Sequence, residues 1–149
     1  MLDIDEMGTK EIQDLLQQVR YGHLGCVFEG HPYVVPMHYY FENLDIYIFT
    51  TEGLKTKYID ANPEVWLQVE EVHDLLHWRS VIVSGQAERL TLQQDIDHAM
   101  QFIKEHNPTL SPAINRTWTD AWGRENVVVI YRIRKSEMSR RTTEGVSRS

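Results

Sequence analysis

The extended runs in the first third of this chain follow one another with very short connections. Apolar and β-branched residues fill positions 23–29, 33–41 and 46–51, and the connecting segments cover only 30–32 and 42–45. Consecutive parallel strands need a crossover of about a dozen residues or more, whereas antiparallel strands are joined by short turns. Because both connections are short and rich in turn residues, the sequence predicts antiparallel hairpins.

Further runs with strand or helix periodicity complete the predicted fold. The expected strands are 65–72, 80–90 and 126–134, and the expected helices run from Thr9 to about 19, from Leu54 to the Asn62-Pro63 stop, and over 92–106. Gly85 is expected to form a bulge or bend in the fifth strand. Six strands and three helices in 149 residues predict an α+β fold, a small antiparallel barrel with helices packed on its outside and ends.

The domain organisation is predicted to be simple. Residues 1–135 are expected to form a single domain, 107–124 an irregular or briefly helical connection, and 136–149 a loose tail or arm. The predicted strands at 46–49 and 127–133 are apolar on both faces. A barrel buries only its inner face, so a second apolar face needs cover by a helix or another subunit, and we expect a homodimer.

The charge of the chain limits its partners. The formal net charge is −7, which argues against nucleic acid or an anionic membrane as the main partner, because both bind basic surfaces. The only cysteine, Cys26, lies in an apolar run, which is typical of a buried thiol. One cysteine excludes an intrachain disulfide. The acidic start resembles no signal peptide and no apolar run approaches 20 residues, so we expect a cytoplasmic protein.

Two lysines stand at the start of the second predicted helix, where the helix dipole favours acidic residues. On a helical wheel, Lys55 falls within the arc of Leu54, Tyr58 and Ile59, which we predict to face inward, and Lys57 lies at its edge. Thr50, Thr51 and Gly53 come just before and supply hydroxyls and an unhindered backbone. This combination predicts a phosphate site, while the alternative is that both lysines extend to water from an ordinary helix.

Several segments together resemble the pyridoxamine 5′-phosphate oxidase-like split-barrel flavoproteins, in particular the branch that includes the 5-nitroimidazole-resistance reductases. The segments that resemble this family are G-x-PYVVPMHYY from Gly30, IYIFTTEG-L-K-x-K from Ile46, the following N-P, and S-V-x-V-x-G-x-A from Ser80. They occur in the family's order over about residues 15–90. The set of segments in this order is more specific to the family than any one segment.

This resemblance implies a six-stranded antiparallel split β-barrel of Greek-key type with peripheral helices, which forms a homodimer with FMN at sites between the subunits. The residues implied in FMN binding are Val35, Pro36, Met37, His38 and Tyr39 along the ring, Thr50, Thr51, Gly53, Lys55 and Lys57 at the phosphate, and Ser80 and Val81 from the next strand. Two ammonium groups with hydroxyl and amide donors suit a phosphate monoester.

The chain also departs from this family. Phe49 stands where the nitroimidazole-resistance branch often has a histidine, so a redox role for that histidine does not carry over. The chain matches only loosely after His98, and the substrate-binding signature of the pyridoxamine-phosphate oxidases is not evident there. This weakens vitamin B6 oxidation as the activity.

Other residues have both a functional and a structural interpretation. His73 and His77 are four apart and could chelate zinc, but a solvated hairpin loop is favoured, so no metal is expected. His38 is a weak candidate for proton donation, and a structural role is favoured. Trp118 and Trp122 could cap the flavin pocket or fill a gap beside the barrel, and Arg140 and Arg141 could reach a second phosphate or only face solvent. No side chain is assigned as catalytic.

We therefore expect an FMN-dependent oxidoreductase that passes electrons from NAD(P)H to a small acceptor such as a nitro compound or quinone. One alternative is a flavin-binding protein without turnover, which would act as a carrier or redox-responsive partner. Another is a haem-binding split barrel with His23 or His38 as the axial ligand. Fold resemblance alone does not choose among them.

Overall fold

The computed structural model describes residues 9–106, 117–119 and 125–142, and within these the chain forms three helices and seven strands. The helices are α1 (Thr9–Val19), α2 (Leu54–Ala61) and α3 (Gln93–His106), and the strands are β1 (Tyr21–Phe28), β2 (His31–Glu42), β3 (Asp45–Thr51), β4 (Glu64–Asp74), β5 (His77–Arg89), β6 (Thr117–Thr119) and β7 (Glu125–Thr142). None of these helices is long and apolar enough to cross a bilayer.

Six of the strands form a closed antiparallel ring. Their order is β3-β2-β1-β4-β5-β7, and pairing between β3 and β7 closes the circle. Each hydrogen-bonded neighbour in this ring is antiparallel. The predicted α+β barrel with three helices is therefore confirmed, whereas the Greek-key description and the homodimer stay predictions.

The two predicted hairpins at the start of the barrel turn through two-residue loops. Glu29 and Gly30 have φ angles of 50° and 80°, and Asn43 and Leu44 have 53° and 69°. Positive φ at both central positions is the type I′ geometry whose twist matches that of antiparallel strands. These turns fix the order and direction of β1, β2 and β3.

The core of the barrel is filled by alternate side chains of the strands and closed by two helices. Helix α1 buries Ile12, Leu15 and Leu16 there, and α2 contributes Ile59. Helix α3 instead packs on the outside of β3 and β7, where its apolar residues meet Phe49 and Ile130. The second apolar face of those two strands is thus covered within the same chain, so the homodimer predicted from that face needs support from elsewhere.

For the later part of the chain, one prediction is confirmed and two are changed. Gly85 does form a bulge, because the register between β5 and β7 shifts at this residue. Strand β7 continues to Thr142 beside β5, so residues 136–142 belong to the sheet rather than to the predicted tail. Trp118 lies in β6, which pairs with β7 inside the region predicted to be irregular, and Trp122 lies outside the described residues.

Candidate functional site

The pairing between β2 and β3 is short. Their ladder contains four residue pairs, from Tyr39 with Ile48 to Glu42 with Asp45. The preceding residues of β2, 31–38, pair with β1 on one side, and no described strand pairs with their other side. The first eight of the twelve residues of β2 therefore have a backbone edge that no described strand pairs with, inside an otherwise closed ring.

The direction of the backbone groups at this edge follows from one hydrogen bond. The Tyr39 N–H donates to the Arg20 carbonyl at 3.3 Å, on the side of β1. Because neighbouring residues in a strand direct their polar groups to opposite edges, Val34, Pro36 and His38 present theirs to the free edge. Proline lacks an N–H and is tolerated at such an edge, which accounts for Pro36 in the middle of a long strand.

The side chains of the same segment divide between the two faces of the sheet. Met37 and Tyr39 are buried in the barrel and Val35 packs against that core, whereas Pro36 and His38 are exposed on the outside. The sequence left the direction of His38 open, and the structure places it outward. Of the five predicted ring contacts in β2, only Pro36 and His38 present exposed side chains.

His38 belongs to an aromatic group on the outer surface. Its ring lies nearly parallel to that of Phe49, with the centroids 6.1 Å apart and an angle of 17° between the planes. The ring of Tyr21 lies 5.5 Å from His38 on the other side, at 60°. The imidazole is therefore held between two aromatic rings at the junction of β1, β2 and β3.

The predicted phosphate residues surround the turn between β3 and α2, which we call the 50–53 turn. Thr50 and Thr51 end β3 and are half-buried, and Gly53 is the residue before the helix. Gly53 has an extended backbone, with φ at 170°, and a Cβ added there would meet no atom of the described residues within 4 Å, apart from its two chain neighbours. The fold itself therefore does not require glycine at this position.

Helix α2 is rotated relative to the prediction. Its buried residues are Thr56 and Ile59, whereas Leu54, predicted to face inward, is 52% exposed. Thr56 is tolerated in the core because its hydroxyl is fully used at the helix start. It accepts from the Gly53 N–H at 2.9 Å and donates to the Gly53 carbonyl at 2.8 Å.

This rotation leaves the two lysines near the surface. Lys55 is half-buried and Lys57 is exposed, both in the first turn and a half of the helix. Among the described residues, no carboxylate lies within 4 Å of either ammonium group. Two uncompensated positive charges beside exposed helix N–H groups can bind an anion.

A network of charged groups fixes the same turn to the barrel. Arg89, the last residue of β5, donates to Glu52 at 2.5 Å and to Asp60 at 2.8 Å, and Tyr131 also donates to Asp60 at 2.8 Å. The bond from Arg89 lowers the pKa of the Glu52 carboxyl, and Glu52 raises the pKa of Arg89. Sequence reasoning missed this network, because its members are 29 and 37 residues apart and carry no shared motif.

Ser80 and Val81 do not join the other predicted residues within one chain. Both lie in β5, which β1 and β4 separate from β2. Val81 points into the core, and the Ser80 hydroxyl accepts a hydrogen bond from Gln68 at 3.1 Å. Within one chain, β5 lies three interstrand steps from β2, a path of about 14 Å along the sheet.

The predicted histidine pair lies in the hairpin between β4 and β5, away from the 50–53 turn. His77 contacts Asp74 at 2.7 Å, and His73 lies 3.5 Å from Glu71. Within the described residues no cluster of three or more metal-ligating side chains is present. Cys26 is buried in the barrel, where burial raises the pKa of its thiol.

The comparisons with known proteins agree with this architecture. The chain is 30% identical over 92 residues to an uncharacterized protein of Rhizobium meliloti. The matched region covers 62% of this chain and 61% of that relative. A solved FAD-binding protein from Mesorhizobium loti is 29% identical, with a TM-score of 0.70 over 91% of this chain and 93% of its own.

Two more distant structures share the fold. A candidate 5-nitroimidazole antibiotic resistance protein from Bacteroides thetaiotaomicron is 20% identical with a TM-score of 0.68, over 91% of this chain and 84% of its own. The haem storage protein HutZ from Vibrio cholerae is 11% identical with a TM-score of 0.71, over 90% of this chain and 94% of its own. The profile of the pyridoxamine 5′-phosphate oxidase family matches residues 8–142, and the chain therefore belongs to this family.

Proposed function

We propose that the chain binds FMN in a homodimer and acts as an FMN-dependent oxidoreductase. The observation that carries the proposal is the edge of β2 with which no described strand pairs, next to the 50–53 turn and to Lys55 and Lys57, which have no carboxylate partner among the described residues. A planar heterocycle with polar edge atoms fits the edge of β2, and a phosphate fits the 50–53 turn with the two lysines. The family membership and the similarity to a FAD-binding protein support a flavin as the ligand.

The phosphate end fits a monoester. Lys55 and Lys57 would supply two charge-assisted contacts, and the hydroxyls of Thr50 and Thr51 would supply neutral ones. The open space at Gly53 suits close approach of a ligand oxygen to the backbone. A mononucleotide places its only phosphate here, which is why we propose FMN.

The ring end fits the free edge of β2. The carbonyls of Val34, Pro36 and His38 are acceptors for a flavin N–H, and the amides of Val34 and His38 are donors for its carbonyl oxygens. The nearby outer surface carries the exposed rings of His38 and Tyr21. The chain therefore offers polar contacts at the edge of the ring and apolar surface beside it.

A second copy of the chain would complete the site. Four side chains on the outer face of neighbouring strands are apolar and exposed: Tyr21 (43%), Val34 (66%), Trp66 (36%) and Ile82 (39%). Such a patch on β1, β2, β4 and β5 is suited to a subunit interface. Ser80 would then come to the site from the second copy of the chain, since β1 and β4 separate it from β2 within one chain.

When bound, FMN would supply hydride and electron transfer between NAD(P)H and a small acceptor such as a nitro compound or quinone. The residues of the chain bind and orient the cofactor and shield one side of it. The exposed imidazole of His38 is the side chain best placed to hold or release a proton near the ring. A flavin carrier without turnover is the alternative within the same site.

The proposal is tested by comparing FMN with riboflavin, which lacks the phosphate, in fluorescence titrations of the purified protein. We expect FMN to bind at least about tenfold more tightly, since the phosphate adds more than one charge-assisted contact. Equal affinities would contradict the phosphate assignment. Consumption of NAD(P)H by the loaded protein with an added nitro compound or quinone then separates an oxidoreductase from a carrier.

Haem is a second candidate ligand, supported by two exposed histidines. His23 and His38 lie on the same outer face of adjacent strands, and the haem storage protein from Vibrio cholerae shares the fold. A Soret band shifted and sharpened relative to that of free haemin, and lost in the His23→Ala or His38→Ala variant, would favour it. Absence of that band with tight FMN binding would favour the flavin.

A further inference from the structure

An acidic residue occupies the middle of the 50–53 turn, where a phosphate site should avoid negative charge. Glu52 stands between Thr51 and Gly53, and its carboxylate is 54% exposed. Its one ion-pair partner among the described residues is Arg89, at 2.5 Å. Without that partner, Glu52 would repel an anion bound by the turn.

We propose that Arg89 is a positioning residue of the phosphate site, which keeps the 50–53 turn competent for a dianion by neutralising and holding back the Glu52 carboxylate. This inference rests on the proposed FMN function and adds a residue outside the family motifs recognised in the sequence. Arg89 acts through Glu52 rather than by touching the ligand.

The contacts of Arg89 support this indirect role. Its two terminal nitrogens are already used, one on Glu52 and the other on Asp60, at the two ends of the segment that contains α2. A guanidinium that bridges both ends fixes the distance between the turn and the helix. The end of β5 supplies the anchor, since Arg89 pairs with Tyr131 of β7 in the sheet.

The position of Glu52 also explains why the contact from Arg89 affects the net charge of the 50–53 turn. Among the described residues Lys55 and Lys57 have no carboxylate partner, whereas Arg89 pairs with both Glu52 and Asp60. These three cationic and two anionic side chains leave the turn with net positive charge. Removing Arg89 would release a carboxylate next to two of the phosphate donors. At high dielectric each such charge changes the affinity for a dianion several-fold.

Two other interpretations of Arg89 make different predictions. If Arg89 only tethered α2, then breaking either end of the bridge would have the same effect on binding. If Arg89 left its carboxylates and bound the phosphate itself, then neutralising Glu52 would not restore binding to a variant that lacks Arg89.

The experiment measures FMN and riboflavin affinities of the wild type, Arg89→Gln, Glu52→Gln, Arg89→Gln/Glu52→Gln, and Arg89→Gln/Asp60→Asn. We expect Arg89→Gln to weaken FMN binding about tenfold and the added Glu52→Gln to recover most of that loss. Asp60→Asn is the matched control, because it removes the other carboxylate of the bridge and should recover little. Riboflavin affinity should change less than about twofold throughout, and thermal unfolding monitors the fold.

The outcomes separate the inference from the function on which it rests. Recovery by Glu52→Gln but not by Asp60→Asn, seen for FMN and absent for riboflavin, supports the positioning role. A wild type that prefers FMN while neither double variant recovers overturns the role of Arg89 and leaves the phosphate site intact. A wild type with no preference for FMN over riboflavin overturns both.

Discussion

The Tyr39 hydroxyl donates a hydrogen bond of 2.7 Å to the backbone carbonyl of Leu16, which ties β2 to α1 in the barrel core. The next residue, Tyr40, is equally buried on the opposite face, and its hydroxyl has no partner among the described residues. The two adjacent phenols thus have similar burial, but among the described residues only the Tyr39 hydroxyl is hydrogen-bonded.

This difference predicts opposite effects of the same substitution. Tyr39→Phe should lower the free energy of unfolding by about 1 to 2 kcal/mol, because it leaves a buried carbonyl without its donor. Tyr40→Phe should leave it unchanged or raise it by up to about 1 kcal/mol, since it removes an unpaired hydroxyl. Urea unfolding measures both. Equal destabilisation by the two substitutions would contradict the assigned bonds.

The free energy of unfolding should decrease in alkaline solution because three tyrosines are buried. Burial raises the pKa of Tyr39, Tyr40 and Tyr131 above the ordinary value near 10, and the bond to Asp60 raises that of Tyr131 further. Above pH 10 the unfolded chain releases protons that the folded chain retains, so the free energy of unfolding decreases with pH.

The measurement is urea unfolding at intervals from pH 8 to pH 11. The wild type should keep its stability up to about pH 9.5 and lose it progressively above that value. The Tyr40→Phe variant should lose stability less steeply, because one buried phenol is absent. Identical pH dependence in the two proteins would show that Tyr40 ionises as readily in the folded state as in the unfolded chain.

Much of the barrel was predictable because its signals are local. The Asn43-Leu44 turn and the alternation of β2 lie within a dozen residues, and turn length alone sets the strand direction. The position of Lys55 and Lys57 at a helix start was likewise predicted from neighbouring residues. The ring of six antiparallel strands follows from these signals together with the family resemblance.

The remainder depends on contacts between distant parts of the chain. The rotation of α2 differs from the prediction because Thr56 is buried, and its hydroxyl can be buried since it bonds to Gly53 within the same turn. The bridge from Arg89 to Glu52 spans 37 residues, and its geometry follows from where β5 ends. No periodicity encodes such a distance.

Glycines of the chain provide a test that separates folding from ligand binding. A Cβ at Gly53 meets no protein atom within 4 Å, whereas one at Gly85 would overlap the carbonyl oxygen of Arg134 at the β5–β7 bulge. Gly85→Ala should therefore destabilise the protein by about 2 kcal/mol or more. Gly53→Ala should change stability by less than about 0.5 kcal/mol.

Gly53→Ala should nevertheless weaken FMN binding at least about threefold, because its methyl group occupies space that the phosphate would approach. Thermal unfolding and FMN titration of the same sample provide the two readings. A variant with unchanged stability and unchanged FMN affinity would mean that the ligand does not come close to this backbone.

The two lysines of α2 provide the most direct test of the proposed site. Lys55→Ala combined with Lys57→Ala removes two charge-assisted contacts of about 1.5 to 3 kcal/mol each and should weaken FMN binding at least tenfold. Lys104→Ala is the control, because it removes one positive charge from an exposed position on α3, away from the 50–53 turn. Riboflavin affinity should hardly change in any variant, and the FMN affinity of the wild type should fall with added salt. If the double variant bound FMN as tightly as Lys104→Ala, the phosphate would have to lie elsewhere, and the free edge of β2 would lose its proposed ligand.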